Sequence, residues 1–200
     1  MRITRDLLLK AARDAAAKRV RADRQLVCIF LTGSLLHKDP LLGGAADIDL
    51  VIVHDQQPLD NREVVGLNED VSLDILHYSQ ADFRQPRQLR SNPFLGPLLY
   101  NFPTLLHDIQ HWFEFIQASA SAQFTQPQYA LERARSLAEA AREGWNNLYQ
   151  PAIHPTLTSK ILAYFDVLER SGNAIANLTG LPLSERYFFS QLPERAAQLK

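Results

Sequence analysis

Apolar positions recur near helical spacing from Thr4 to about Arg24, at Leu7, Leu8, Ala11, Ala15 and Val20, and Thr4 followed by Asp6 is an N-terminal cap pattern. A surface helix laid on a sheet is predicted there. Gln25 to Thr32 is almost continuously apolar and rich in β-formers until Gly33-Ser34 stops it, which predicts a buried strand ending in a turn. Leu35 to Ala46 contains Asp39-Pro40 and Gly43-Gly44 and reads as a flexible loop after a short helix. Asp47 to His54 is a second central strand. Asn61 to Leu67 and Val71 to Tyr78, joined by the polar Asn68-Glu69-Asp70, predict a hairpin.

After Ser79 the pattern changes. Pro86, Pro93, Pro97 and Pro103 interrupt short apolar pieces, so short helices and loops are expected up to Asn101. Thr104 to Asp108 reads as a last, edge strand, with Asp108 capping a helix from Ile109 to Ala120. Residues 121–127 form a connector. Two long helices are predicted over Tyr129 to Tyr149 and Thr156 to Leu178, the second ended by Gly180 and Pro182. A short helix lies within Ser184 to Lys200. The chain therefore divides into a mixed part, residues 1–120, and a helical part, residues 121–200, which is either a small unit or the start of a longer bundle.

At 200 residues, 46% hydrophobic and 22% charged, this is the composition of an ordinary globular protein with a packed core. The formal net charge of −1 gives no global attraction to nucleic acid or to an anionic membrane, so any polyanion must be held locally. A nucleic-acid partner is not expected. Cys28 is the single cysteine, which excludes an intramolecular disulfide and a multi-cysteine metal site, and its apolar neighbours mark it as a small buried strand residue. The charged N-terminus lacks the apolar stretch of a signal peptide, and no apolar run is long enough to span a bilayer. A cytoplasmic location with no membrane partner is the default expectation.

The chemistry concentrates in three carboxylates. A strand sends residues two apart to the same face, so Asp47 and Asp49 point into one space and repel each other unless something cationic lies between them. A hard divalent ion, Mg²⁺ or Mn²⁺, meets that need and leaves positions for substrate phosphates. Asp74 lies within an otherwise apolar strand, where an unpaired carboxylate is costly. If its strand lies beside that of Asp47 and Asp49, all three converge. Gly33 lets the backbone turn tightly near a ligand, and Ser34 offers a hydroxyl and an N–H to a β- or γ-phosphate. A Walker-type loop is absent from the sequence.

Phe30-Leu31-Thr32-Gly33-Ser34, a loop, Asp47-Ile48-Asp49-Leu50 and then a strand aspartate, Asp74, together resemble the nucleotidyltransferase superfamily typified by DNA polymerase β. The resemblance covers about the first 108 residues and is similar to small bacterial antibiotic-modifying and minimal members. It implies an α+β fold: a mixed β-sheet core flanked by helices, followed by a C-terminal helical region that helps to enclose the acceptor. It also implies that Gly33 and Ser34 fix the leaving pyrophosphate and that Asp47 and Asp49 hold the divalent ion. Asp74 either ligates a second ion or accepts the acceptor's proton. The co-substrate is a nucleoside triphosphate and the acceptor a hydroxyl of a small molecule or protein, with a homodimer left open. This chain carries Ala46 where many members have serine, and the loop after Ser34 holds Lys38 but no arginine.

Other residues read more simply. His54, His77 and His107 sit at or near strand ends as satisfied or exposed histidines, and Arg84, Arg87 and Arg90 as a solvated helix face. Trp145, Tyr149, Tyr164, Phe165, Tyr187, Phe188 and Phe189 are expected to pack between helices. Two alternatives stand beside the transferase. One is a non-catalytic, antitoxin-like protein that binds a partner through its helices. The other is an Asp-x-Asp glycosyltransferase, which normally has a longer nucleotide-binding region before the motif than the 46 residues present.

Overall fold

Helix α1 (Arg5–Ala22) starts where the Thr4 hydroxyl accepts from the Leu7 N–H at 3.4 Å, with Asp6 in the first turn, where a carboxylate suits the positive end of the helix dipole. Leu8, Ala12 and Ala16 recur at four-residue steps and form its buried stripe. Two of the three are alanines, so the helix can approach the sheet closely, and burying Leu8 is worth about 1.5–3 kcal/mol. The computed structural model describes residues 3–36, 46–184 and 187–199.

Strands β1 (Leu26–Leu31), β2 (Ala46–His54), β3 (Arg62–Gly66), β4 (Val71–Ser79) and β5 (Thr104–Asp108) form one sheet in the order β3-β4-β2-β1-β5. β2 and β4 run parallel and the other pairs antiparallel, so the sheet is mixed and the fold is α+β. Every residue of β1 is buried, which explains why its sequence runs apolar without alternating: both of its faces are covered. On one face Ile48, Leu50 and Ile52 of β2 and Leu73 and Ile75 of β4 join the stripe of α1. The strand period sends Asp47, Asp49, Val51 and Val53 to the other face. There Phe30 meets Phe113 with ring centroids 5.0 Å apart, and Phe83 stacks edge-on with Tyr78 and Trp112.

Single-turn 3₁₀ segments follow β1, at Gly33–Leu36, and β4, at Gln80–Phe83. Two short helices come next, α2 (Pro86–Ser91) and α3 (Leu95–Tyr100), and α4 (Trp112–Ser121) follows β5. The helix expected from Ile109 begins three residues later. Gln110 and His111 adopt positive φ, 56° and 58°, and the Asp108 carboxylate reaches past them to accept from the Phe113 N–H at 3.1 and 3.2 Å.

The chain forms two compact units, Met1–Pro86 with Leu98–Ala120, and Arg87–Pro97 with Ser121–Lys200. In the second, α5 (Pro127–Asn147) packs along α6 (Leu157–Thr179), and α7 (Phe188–Ala197) packs on α6. Segment 87–97 groups with these helices because Arg133 of α5 is buried there. Its guanidinium lies over the Phe124 ring and donates to Arg90 O at 2.6 Å, Phe124 O at 3.0 Å and Asn177 Oδ1 at 3.1 Å. Among the described residues no helix is long and apolar enough to cross a membrane.

Candidate active site

The site begins at the end of β1. Thr32 N–H donates to the Asp49 carbonyl at 2.9 Å, which sets the following turn beside β2. Gly33 then takes φ +71°, a conformation that side chains disfavour, and a Cβ on it would overlap the Asp49 carboxylate. Gly33 therefore fulfils two requirements at once: the left-handed backbone and the space for Asp49. Ser34 follows, half-buried, in the same 3₁₀ turn.

Asp47 and Asp49 share the sheet face opposite α1. Asp47 is exposed and accepts a hydrogen bond from the Ser72 hydroxyl, its register partner on β4. Asp49 is half-buried and lies in register with Asp74 across the parallel β2–β4 pair. Strands in a sheet lie about 4.7–4.9 Å apart, so two carboxylates in register repel unless a cation intervenes. Arg62 of β3 supplies one. Its Nε donates to Asp74 Oδ1 at 2.8 Å and its Nη2 to Oδ2 at 2.6 Å, a bidentate fork that engages both oxygens. Sequence reasoning missed Arg62, although the hairpin held the signal. Val64 lies opposite Asp74 and Arg62 opposite Leu76, so Arg62 sits diagonally on the same face, within reach of a long side chain.

Asp47 and Asp49 are hard oxygen donors on one face, beside a turn that leaves room for a carboxylate. That chemistry fits Mg²⁺ or Mn²⁺, which takes one or two protein carboxylates and fills its other positions with water and phosphate oxygens. Among the described residues no three carboxylate, imidazole or thiol groups gather closely enough to cage a metal. An ion held here would therefore depend on substrate oxygens. Lys38 and Gly43-Gly44, which the sequence places in the neighbouring loop, lie outside the described residues.

A second polar cluster occupies the opposite face, toward the C-terminal ends of β2 and β4. His54 Nε2 and His77 Nδ1 are 2.9 Å apart, and His77 Nε2 lies 3.3 Å from Glu63 Oε2. Arg19 of α1 grips Glu63 at 3.0 and 3.1 Å, and Asp23 Oδ2 lies 4.0 Å from His54 Nδ1. Burial first, and then the charge of His77, hold His54 below the usual histidine range, against the pull of Asp23. The hydrogen bond from Arg19 is the main reason that Glu63 is depressed. Read singly, the histidines gave no sign of this pairing, which exists only because β2 and β4 are neighbours. Cys28 is buried and its thiol is pushed up by that burial, as a structural residue's is.

A comparison with solved structures finds similarity to the crystal structure of a nucleotidyltransferase-like protein from Exiguobacterium sibiricum. The TM-score is 0.42 and the identity 10%, over 94% of this chain and 65% of that one. No protein-family model and no curated protein matches the sequence. A likeness of that size assigns neither an activity nor a ligand.

Two expectations away from the sheet are corrected. Arg90 is not a merely solvated side chain: it donates to Gln123 Oε1 at 3.1 Å and to the Tyr129 hydroxyl at 3.4 Å. Of the seven C-terminal aromatics expected between helices, Phe188 is buried, under Gly172 of α6, whereas Trp145, Tyr149, Tyr164, Phe165, Tyr187 and Phe189 are exposed. Helical periodicity identified an apolar face but not whether another element of this chain covers it.

Proposed function

We propose that this protein is a metal-dependent nucleotidyltransferase, which moves a nucleoside monophosphate from a nucleoside triphosphate to a hydroxyl of a small molecule or protein. The observation that supports this reading is the seat of Asp49: its carboxylate fills the space left by Gly33, on the face it shares with Asp47 and in register with Asp74. A glycine turn packed against Asp49 and followed by a serine suits a triphosphate whose charge a cation neutralises.

In this reading Asp47 and Asp49 would hold Mg²⁺ or Mn²⁺, which when bound supplies charge neutralisation to the triphosphate. Gly33 and Ser34 orient the β- and γ-phosphates as the departing group. The acceptor oxygen forms a bond to the α-phosphorus as the bond from that phosphorus to pyrophosphate breaks, and the hydroxyl proton leaves. Asp74 is the carboxylate that either takes this proton or helps to hold a second ion. Positioning and electrostatics carry most of the acceleration in such a displacement.

The test is pyrophosphate release from each of the four nucleoside triphosphates with Mg²⁺ or Mn²⁺ and pooled hydroxyl acceptors. Asp49→Asn is expected to lower release by at least about 100-fold, the scale of losing a group that acts mainly in the transition state. Absence of release with every nucleotide, together with no Asp49-dependent nucleotide binding, overturns the proposal. The partner-binding alternative draws support from exposed apolar side chains on α6, Leu157, Leu162 and Phe165 among them. It predicts partner capture that Asp49→Asn leaves unchanged.

A further inference from the structure

Both oxygens of Asp74 are held by a guanidinium, and this partner comes from the edge of the sheet. A guanidinium fork of this kind uses the same lone pairs that a divalent ion would need. The two sides of the pair differ in their freedom to move. The Arg62 side chain is 64% exposed, on edge strand β3, so it can swing into solvent without opening the core. The Asp74 side chain is 24% exposed and sits in the β2–β4 ladder in register with Asp49, so it stays in place.

We infer that Arg62 is a displaceable cation at Asp74: it holds this carboxylate against its neighbour Asp49 until a divalent ion arrives, and it competes with that ion for the carboxylate oxygens. The inference rests on the metal-dependent reading above. Arg62 is on this account a positioning residue, acting through Asp74. No covalent bond changes in the exchange. The Arg62–Asp74 ion pair is broken, the carboxylate passes from guanidinium to metal, and the guanidinium turns away from it. The site is therefore held against divalent ions by its own arginine.

The experiment is a Mn²⁺ titration of the full chain, followed by the loss of the free-ion paramagnetic resonance signal, a readout that needs no turnover. Arg62→Gln is expected to bind Mn²⁺ about 5-fold more tightly than the unaltered protein, the scale of one well-formed exposed ion pair. Arg62→Lys keeps the charge and is expected to restore most of the original affinity. The gain is expected to vanish in the double variant Arg62→Gln, Asp74→Asn, because it runs through that carboxylate. Thermal melting confirms that each variant is folded, and Arg62→Met, which keeps the aliphatic stem, repeats the comparison should Arg62→Gln not fold. Equal or weaker Mn²⁺ binding by Arg62→Gln, while the unaltered protein binds in an Asp49-dependent way, overturns the inference and leaves the metal-dependent reading intact. A gain that survives Asp74→Asn also overturns it, since the effect would then be general charge. If neither protein binds Mn²⁺ in an Asp49-dependent way, the metal-dependent reading itself falls.

Discussion

Gly33 is defined by what it lacks. With φ at +71° and the Asp49 carboxylate where a side chain would begin, it cannot be replaced without moving one or the other. Gly33→Ala carries a backbone cost of roughly 1 kcal/mol for an L-residue in the left-handed region, and a further cost for pushing Asp49 aside. A total loss of about 1–3 kcal/mol is expected in urea denaturation. Shortening the obstructing side chain tests the cause: Gly33→Ala combined with Asp49→Gly is expected to be less destabilised than the sum of the single variants, because the overlap is relieved while the backbone cost stays. Strict additivity would show that Asp49 is not what the glycine accommodates. Gly-Ser after an apolar strand was legible as a turn. That the glycine faces Asp49, sixteen residues later in the chain, was not, because a turn signal is local and the carboxylate arrives on another strand.

At the scale of elements, the parallel β2–β4 pair creates both polar clusters. It aligns Asp49 with Asp74 on one face and brings His54 to His77 on the other. His54, half-buried beside His77, gives a pH dependence whose sign is fixed. His54 titrates below its unfolded value of about 6.5, so the unfolded chain binds more protons in the interval beneath that value. Stability from this group is full above about pH 6.5 and falls as the pH drops through the lowered folded value. Glu63 is also depressed, so its contribution is lost at lower pH, beneath its unfolded value of about 4.3. Melting temperature is therefore expected to decline in two stages on acidification. His54→Leu is expected to flatten the first stage, which begins as the pH falls below about 6.5, and to leave the second. An unchanged first stage would place that transition elsewhere. The hairpin of β3 and β4 was legible from two β-rich runs around a polar turn. Its placement outside β2, with β4 inward, puts Leu73 and Ile75 in the same core cluster as the α1 stripe, a long-range outcome that no local signal announces.

For the whole molecule, the division into units is not a single cut along the chain. Segment 87–97 belongs with the helices: Arg133 of α5, whose exposure is 1%, donates one hydrogen bond to Arg90 O in that segment and two others, to Phe124 O and to Asn177 Oδ1 of α6. Burial lowers Arg133 to about 10, so it remains charged at neutral pH. Arg133→Met takes these donors from the buried Phe124 O and Asn177 Oδ1 and from the half-buried Arg90 O, with an expected loss of about 3 kcal/mol. Amide exchange should accelerate in residues 87–97 together with α5 and α6; unchanged exchange in 87–97 would show that this arginine does not hold the segment. The sequence by itself determined which segments are strands and helices, which face of each is apolar, and that Asp47 and Asp49 share a face, because periodicity and turn chemistry act over a few residues. The tertiary structure alone decided that Asp74 stands beside Asp49, that Arg62 grips Asp74, that Gly33 must be bare, and that most C-terminal aromatics remain exposed. Each of these depends on which distant segment becomes a neighbour. A repeat of two or 3.6 residues says which way a side chain points, and only the order of the sheet and the packing of its faces say what it meets there.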